Sequence, residues 1–128
     1  RLPPLRILVA DDISLNQELL TLALEQHGHS VTAADNGHKV LELLSKEDFD
    51  VALLDVHMPE MDGSELADQV EARDPGLHIL FMSGNLADPA LRDRIEDGLA
   101  SIIQKPISPD ELERALIEVV SGRVYRWS

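Results

Sequence analysis

Five aliphatic runs of strand length recur along the chain: LRILVA at 5–10, SVTAA at 30–34, VALLD at 51–55, LHILFM at 77–82 and ASIIQ at 100–104. Between them apolar residues fall at helical spacing, in the sets Leu15, Leu19, Leu22, Ala23; Val40, Leu41, Leu44; Leu66, Ala67, Val70; Leu91, Ile95, Leu99; and Leu112, Ala115, Leu116, Val119. Strand followed by helix, five times over, requires right-handed crossovers and a parallel sheet with helices on both faces. Burial on both faces also explains why the strands are almost continuously apolar instead of alternating. The pattern predicts an α/β fold, a doubly wound parallel sheet of five strands with five helices.

The ends of the helices carry matching chemistry. Ser108, Pro109 and Glu111 form a capping box with proline at the first helical position, and Asn36-Gly37 and Asp88-Pro89 are further cap sequences. Gly28, Gly98 and Gly122 stand where helices should stop. A chain of 128 residues fits one domain. Its four aromatic residues, Phe49, Phe81, Tyr125 and Trp127, leave the core to aliphatic side chains. Residues 1–4 have the composition of a linker remnant, 5–121 form the expected domain, and 122–128 a peripheral C-terminal tail. With no initiator methionine, the expectation is a piece of a longer protein.

Charge and composition exclude several functions. A net charge of −13 repels polyphosphate backbones, so nucleic-acid binding by this domain is not expected. No apolar run approaches the roughly 20 residues of a membrane span, and no signal-like segment is present, so direct membrane contact is not expected either. The absence of cysteine removes disulfides and thiolate metal sites and agrees with a reducing, cytoplasmic setting.

Ligands of doubly wound sheets gather beyond the carboxyl ends of the strands. Here strand one ends in Asp11-Asp12, strand three in Asp55, strand four in Ser83-Gly84 and strand five in Lys105-Pro106. Carboxylates converging on one edge repel each other, and a divalent cation removes that conflict. Hard oxygen donors in an incomplete cage suit Mg²⁺, which retains waters and takes a phosphoryl oxygen. A hydroxyl at Ser83 and an ammonium at Lys105 supply partners for the remaining phosphoryl oxygens. The constellation points to phosphoryl transfer onto a carboxylate.

The blocks VADD at 9–12, LLDVHMPEMDG at 53–63, FMSG at 81–84 and IQKP at 103–106 together resemble the receiver domain of two-component response regulators. The segments ADDISLNQELL and HGHSVTAADNGHKVLELL resemble, more finely, receivers fused to hybrid sensor histidine kinases. The resemblance implies a flavodoxin-like sheet of order 2-1-3-4-5. It implies Asp55 as phosphoacceptor, with the donor a phosphohistidine on a histidine kinase or histidine phosphotransfer domain. Direct Mg²⁺ ligands would be Asp12, Asp55 and the backbone carbonyl of His57, with Asp11 acting through water. Ser83 and Lys105 would contact the phosphoryl oxygens, and Lys105-Pro106 would be cis. Such a domain is no conventional enzyme but catalyses its own phosphorylation and dephosphorylation. It is expected to be monomeric when isolated and cytoplasmic, as the cytoplasmic portion of a membrane-anchored sensor kinase in the hybrid case.

Plainer readings stand beside these. Asp11 and Asp12 could cap a helix, Ser83-Gly84 could be an ordinary turn, and the His57 side chain reads more naturally as a solvent-facing loop residue than as a ligand. Ile102 departs from the family, which often has Tyr or Phe three residues before the lysine as a switch. A haloacid-dehalogenase-like phosphatase would resemble an Asp-x-Asp pattern, where this chain has His57. A nucleotide or flavin binder would need a phosphate loop where two acids stand, and a hydrolase would need a Gly-x-Ser-x-Gly elbow. The remaining rival is a receiver-like scaffold that binds partners independently of phosphorylation.

Overall fold

The computed structural model describes residues 2–126. Strands β1 (Arg6–Ala10), β2 (Ser30–Ala34), β3 (Val51–Asp55), β4 (His78–Ser83) and β5 (Ile102–Gln104) form one parallel sheet in the order β2-β1-β3-β4-β5. Between and after them run α1 (Ser14–Gln26), α2 (Gly37–Leu44), α3 (Gly63–Arg73), α4 (Arg92–Glu96) and α5 (Pro109–Val120). Register in the central strands sorts the core by parity. Ile7, Val9, Val51, Leu53, Leu80 and Met82 face α1 and α5, while Leu8, Ala10, Ala52, Leu54 and Phe81 face α2, α3 and the turn before α4. Each large aliphatic side chain buried this way stabilises the fold by roughly 2 kcal/mol. The two cores grip the strands from both sides and fix where their carboxyl ends finish.

The expected caps at Asn36 and Ser108 form, and Asp62 caps α3 as well. Asn36, Asp62 and Ser108 accept hydrogen bonds from the N–H groups of Lys39, Glu65 and Glu111 at 2.8, 2.8 and 3.2 Å. Gly28, Gly98 and Gly122 take positive φ where helices end.

One expectation, for the fourth helix, needs correction, and the leucines spaced along α1 lie mostly outside its buried face. Leu15, Leu19 and Leu22 are 61%, 56% and 58% exposed, and Leu20 and Leu24 pack on the sheet instead. The leucines of this helix spread beyond a single stripe, so spacing alone cannot select the ones that pack. The fourth helix is also much shorter than the spacing of Leu91, Ile95 and Leu99 predicts. Asp88-Pro89 starts a 3-10 turn over Pro89–Leu91 that takes Leu91 into the core, α4 then runs for a single turn and a half, and Gly98 at φ 70° stops it. Leu99 lies beyond the helix and is exposed.

Residues 122–126 fold back onto the sheet. The Tyr125 N–H donates to Ser101 Oγ at 3.1 Å, the Ile102 N–H donates to the Tyr125 carbonyl at 2.7 Å, and Arg126 bridges to Ile102 in parallel. The Tyr125 hydroxyl reaches Glu111 Oε2 at 3.2 Å. Trp127 lies outside the described residues.

Candidate functional site

β1 and β3 are neighbours in the sheet, so their last residues place Asp11 and Asp55 side by side, and β4 and β5 add Ser83 and Lys105 at the same edge. Asp11 is fully buried and Asp55 and Ser83 nearly so, whereas Asp12 is exposed. Carboxylate oxygens of Asp11, Asp12 and Asp55 lie within 4.8 Å of one another. Lys105 Nζ sits 3.1 Å from Asp55 Oδ2 and 3.3 Å from Asp11 Oδ2. One ammonium therefore serves two buried acids, with a third alongside.

Burial pushes the Asp55 carboxyl above its ordinary value; the Lys105 hydrogen bond and charge offset part of the rise, Asp11 adds repulsion, and the His57 N–H lowers it slightly. The cluster is short of positive charge. Hard oxygens this close, one of them open to solvent, fit a small divalent cation that keeps some of its water. Asp11 also accepts from the Ile13 N–H at 2.9 Å, but Ile13 occupies the cap position of α1 and no side chain caps that helix. The helix-cap alternative for the acid pair therefore fails.

The loop after β3 is shaped by a close approach. The Gly63 N–H donates to the Val56 carbonyl at 2.7 Å, and a Cβ at position 63 would stand 2.8 Å from Val56 Cα and 2.9 Å from the Asp55 carbonyl oxygen. No side chain fits there, which accounts for Asp62-Gly63 beyond the acid. The Lys105-Pro106 bond is cis, as the resemblance implied.

Ser83 and His57 are held differently from the acids. The Ser83 hydroxyl donates not to Asp55 but to Asp88 Oδ2 at 2.9 Å, and His57 Nε2 meets the same oxygen at 2.7 Å. The His57 ring is largely solvent-exposed, in line with a loop residue, and its backbone N–H reaches Asp55 Oδ1 at 3.3 Å. Asp88 is the site residue that sequence reasoning missed. It was legible only as a cap before Pro89, because nothing in linear spacing links it to His57.

Ile102 is fully buried, pairs in register with Phe81, and has its N–H bound by the tail. No helix among the described residues is long and apolar enough to cross a membrane.

Comparison with known proteins agrees with this geometry. The chain is 39% identical over 116 residues to the response regulator receiver protein CpdR of Brucella abortus, covering 88% of this chain and 97% of that one. It is 34% identical over 119 residues to the sensor histidine kinase AruS of Pseudomonas aeruginosa, covering 90% of this chain but 12% of the kinase. Among solved structures, the response regulator TrrA of Thermotoga maritima in complex with Mg²⁺ and BeF superposes with a TM-score of 0.76 at 27% identity, over 89% of this chain and 97% of that one. The model of the response regulator receiver domain matches residues 7–117, and the chain belongs to that family of two-component signalling domains.

Proposed function

We propose that Asp55 is the phosphoacceptor of this receiver. The carrying observation is that its carboxylate ends β3 within 3.1 Å of the Lys105 ammonium and within ligand-sharing distance of Asp11 and Asp12. An Asp55 oxygen forms the bond to phosphorus as the P–N bond of the donor phosphohistidine breaks, and the bonding electrons leave with the donor imidazole. Burial makes that oxygen a stronger base than an exposed aspartate, and Lys105 keeps it ionised and in place. Lys105 and the Ser83 hydroxyl then bind the transferred oxygens. Asp12, Asp55 and the His57 carbonyl would hold Mg²⁺ directly, with Asp11 through water. The ion, when bound, neutralises the acids and the charge that builds on the phosphoryl oxygens.

The donor is a histidine kinase or a histidine phosphotransfer domain. The exposed leucines of α1 support this reading, since Leu15 and Leu19 offer an apolar face beside the site, and Leu19 lines a groove with Asn16, Lys105 and Pro106. Residues 5–121 are the working unit. A receiver fused to a hybrid kinase and a separate regulator both suit this chain, and a cytoplasmic setting fits either.

Incubation with Mg²⁺ and a small phosphodonor, followed by intact-mass measurement, tests the assignment. Wild type should gain one phosphoryl adduct and Asp55→Asn none. An equal adduct on the variant refutes Asp55, and no adduct on wild type favours the phosphorylation-independent scaffold.

A further inference from the structure

Ser83 has one hydroxyl proton, and that proton is committed. Its Oγ donates to Asp88 Oδ2 at 2.9 Å and accepts from the Asn85 N–H at 3.1 Å. Phosphoryl oxygens carry lone pairs and no proton, so any Ser83 contact to them must be a donation from Ser83. The two bonds exclude each other.

Asp88 is placed to make this competition matter. Its side chain is 4% exposed. Oδ1 accepts from the Ala90 N–H at 3.0 Å, so the same carboxylate starts the Pro89–Leu91 turn, and Leu91 is fully buried in the core. Burial pushes the Asp88 carboxyl up, but hydrogen bonds from Ala90, Ser83 and His57 outweigh it and hold the group below its ordinary value. Asp88 thus accepts at both carboxylate oxygens, from Ser83 and Ala90, with His57 Nε2 2.7 Å from Oδ2. Its neighbours are a phosphoryl-facing hydroxyl, the imidazole two residues past the acceptor, and the first N–H of the turn leading into α4.

We propose that Asp88 is a positioning residue that competes with the phosphoryl group for the Ser83 proton, coupling phosphorylation of Asp55 to rearrangement of the turn that begins α4. This rests on Asp55 being the acceptor. It gives the chain a route from the site to α4 that does not pass through residue 102, where the side chain is a buried, β-branched isoleucine with little freedom to rotate.

Calorimetric titration of beryllofluoride with saturating Mg²⁺ tests the proposal. Four proteins are compared: wild type, Asp88→Ala, Ser83→Ala and the double variant. Freed of its competitor, Ser83 should let Asp88→Ala bind beryllofluoride about 5–10-fold more tightly than wild type, the net size of one typical hydrogen bond. The gain should vanish when Ser83 is also alanine. Asp88→Asn, which keeps an acceptor for Ser83 but not the charge, should fall between; it replaces Asp88→Ala in the cycle should the alanine variant fail to fold. Unchanged or weaker binding without the Asp88 carboxylate, or a gain that persists without Ser83, overturns the proposal. Absence of binding by wild type overturns the Asp55 assignment and this inference with it.

Discussion

Two aspartates flank β3, and their surroundings move them in opposite directions. Asp50, just before the strand, accepts from the Arg6 backbone N–H at 2.8 Å and from the Arg6 guanidinium at 3.1 Å. Those bonds, side chain first and backbone second, hold its carboxyl below the ordinary value. Asp55, at the far end, is pushed up by burial that Lys105 only partly offsets. The first acid has a cation of its own, whereas the second shares one ammonium with Asp11 and faces Asp12 as well. An acid paired one to one fastens the end of a strand. An acid left short of charge leaves a repulsion that added positive charge would relieve.

The harshest way to break this contrast is to remove the shared cation. Lys105→Met should destabilise the domain by about 2 kcal/mol at neutral pH, less than for a fully buried pair because the ammonium is partly exposed. Millimolar Mg²⁺ should recover most of the loss, since a cation that binds only the folded site stabilises it by mass action. Urea unfolding with and without Mg²⁺ reads both effects; a variant as stable as wild type in the absence of metal would show that the acids are not in conflict.

Removing the strained acid should act the other way. Asp55→Asn is expected to raise stability at pH 7 by on the order of 1 kcal/mol. Because the folded-state pKa is raised, wild-type stability falls as pH climbs from the ordinary carboxylate value through the folded one. The advantage of the variant should thus be complete at neutral pH and gone below about pH 4. An advantage that does not change with pH would mean that ionisation is not its cause.

The smallest change belongs to the satisfied end. Asp50→Asn should lower the melting temperature by about 1–2 °C at pH 7. With the folded-state pKa lowered, the stabilisation is present above the ordinary value and is lost as pH falls through the folded one. Wild type and variant should converge in acid. Melting curves for both aspartate variants across pH 3–8 sharpen the comparison, because the two differences should have opposite signs at neutral pH.

The sheet and the acid-rich edge were legible because strand endings are written locally. An aliphatic run that stops at a charged residue or glycine predicts Asp11, Asp55, Ser83 and Lys105 at one edge without any knowledge of contacts. The buried face of α1 was not legible, since Leu15, Leu19, Leu20, Leu22 and Leu24 spread beyond one stripe and only the neighbouring sheet decides which of them pack. The short α4 was hidden because Leu91 and Ile95 satisfy both a helical period and a 3-10 turn followed by a stub. Asp88 escaped notice for another reason: its bonds to His57 and Ser83 join two loops that meet only after the sheet has formed. The docking of Tyr125 uses the Ser101 hydroxyl, the Glu111 carboxylate and the Ile102 N–H, partners that no spacing along the chain links to it.

That docking bears on how the molecule behaves among its own copies. β5 is three residues long and would otherwise close the sheet with a bare row of donors and acceptors. Such a row is a template onto which a strand from a second molecule can zip. With the Ile102 N–H already bound to the Tyr125 carbonyl and Arg126 bridged alongside, strand-to-strand association through β5 must first evict the chain's own C-terminal segment. The margin of the sheet is thereby covered by the backbone of two residues, Tyr125 and Arg126, remote from the acids and the lysine.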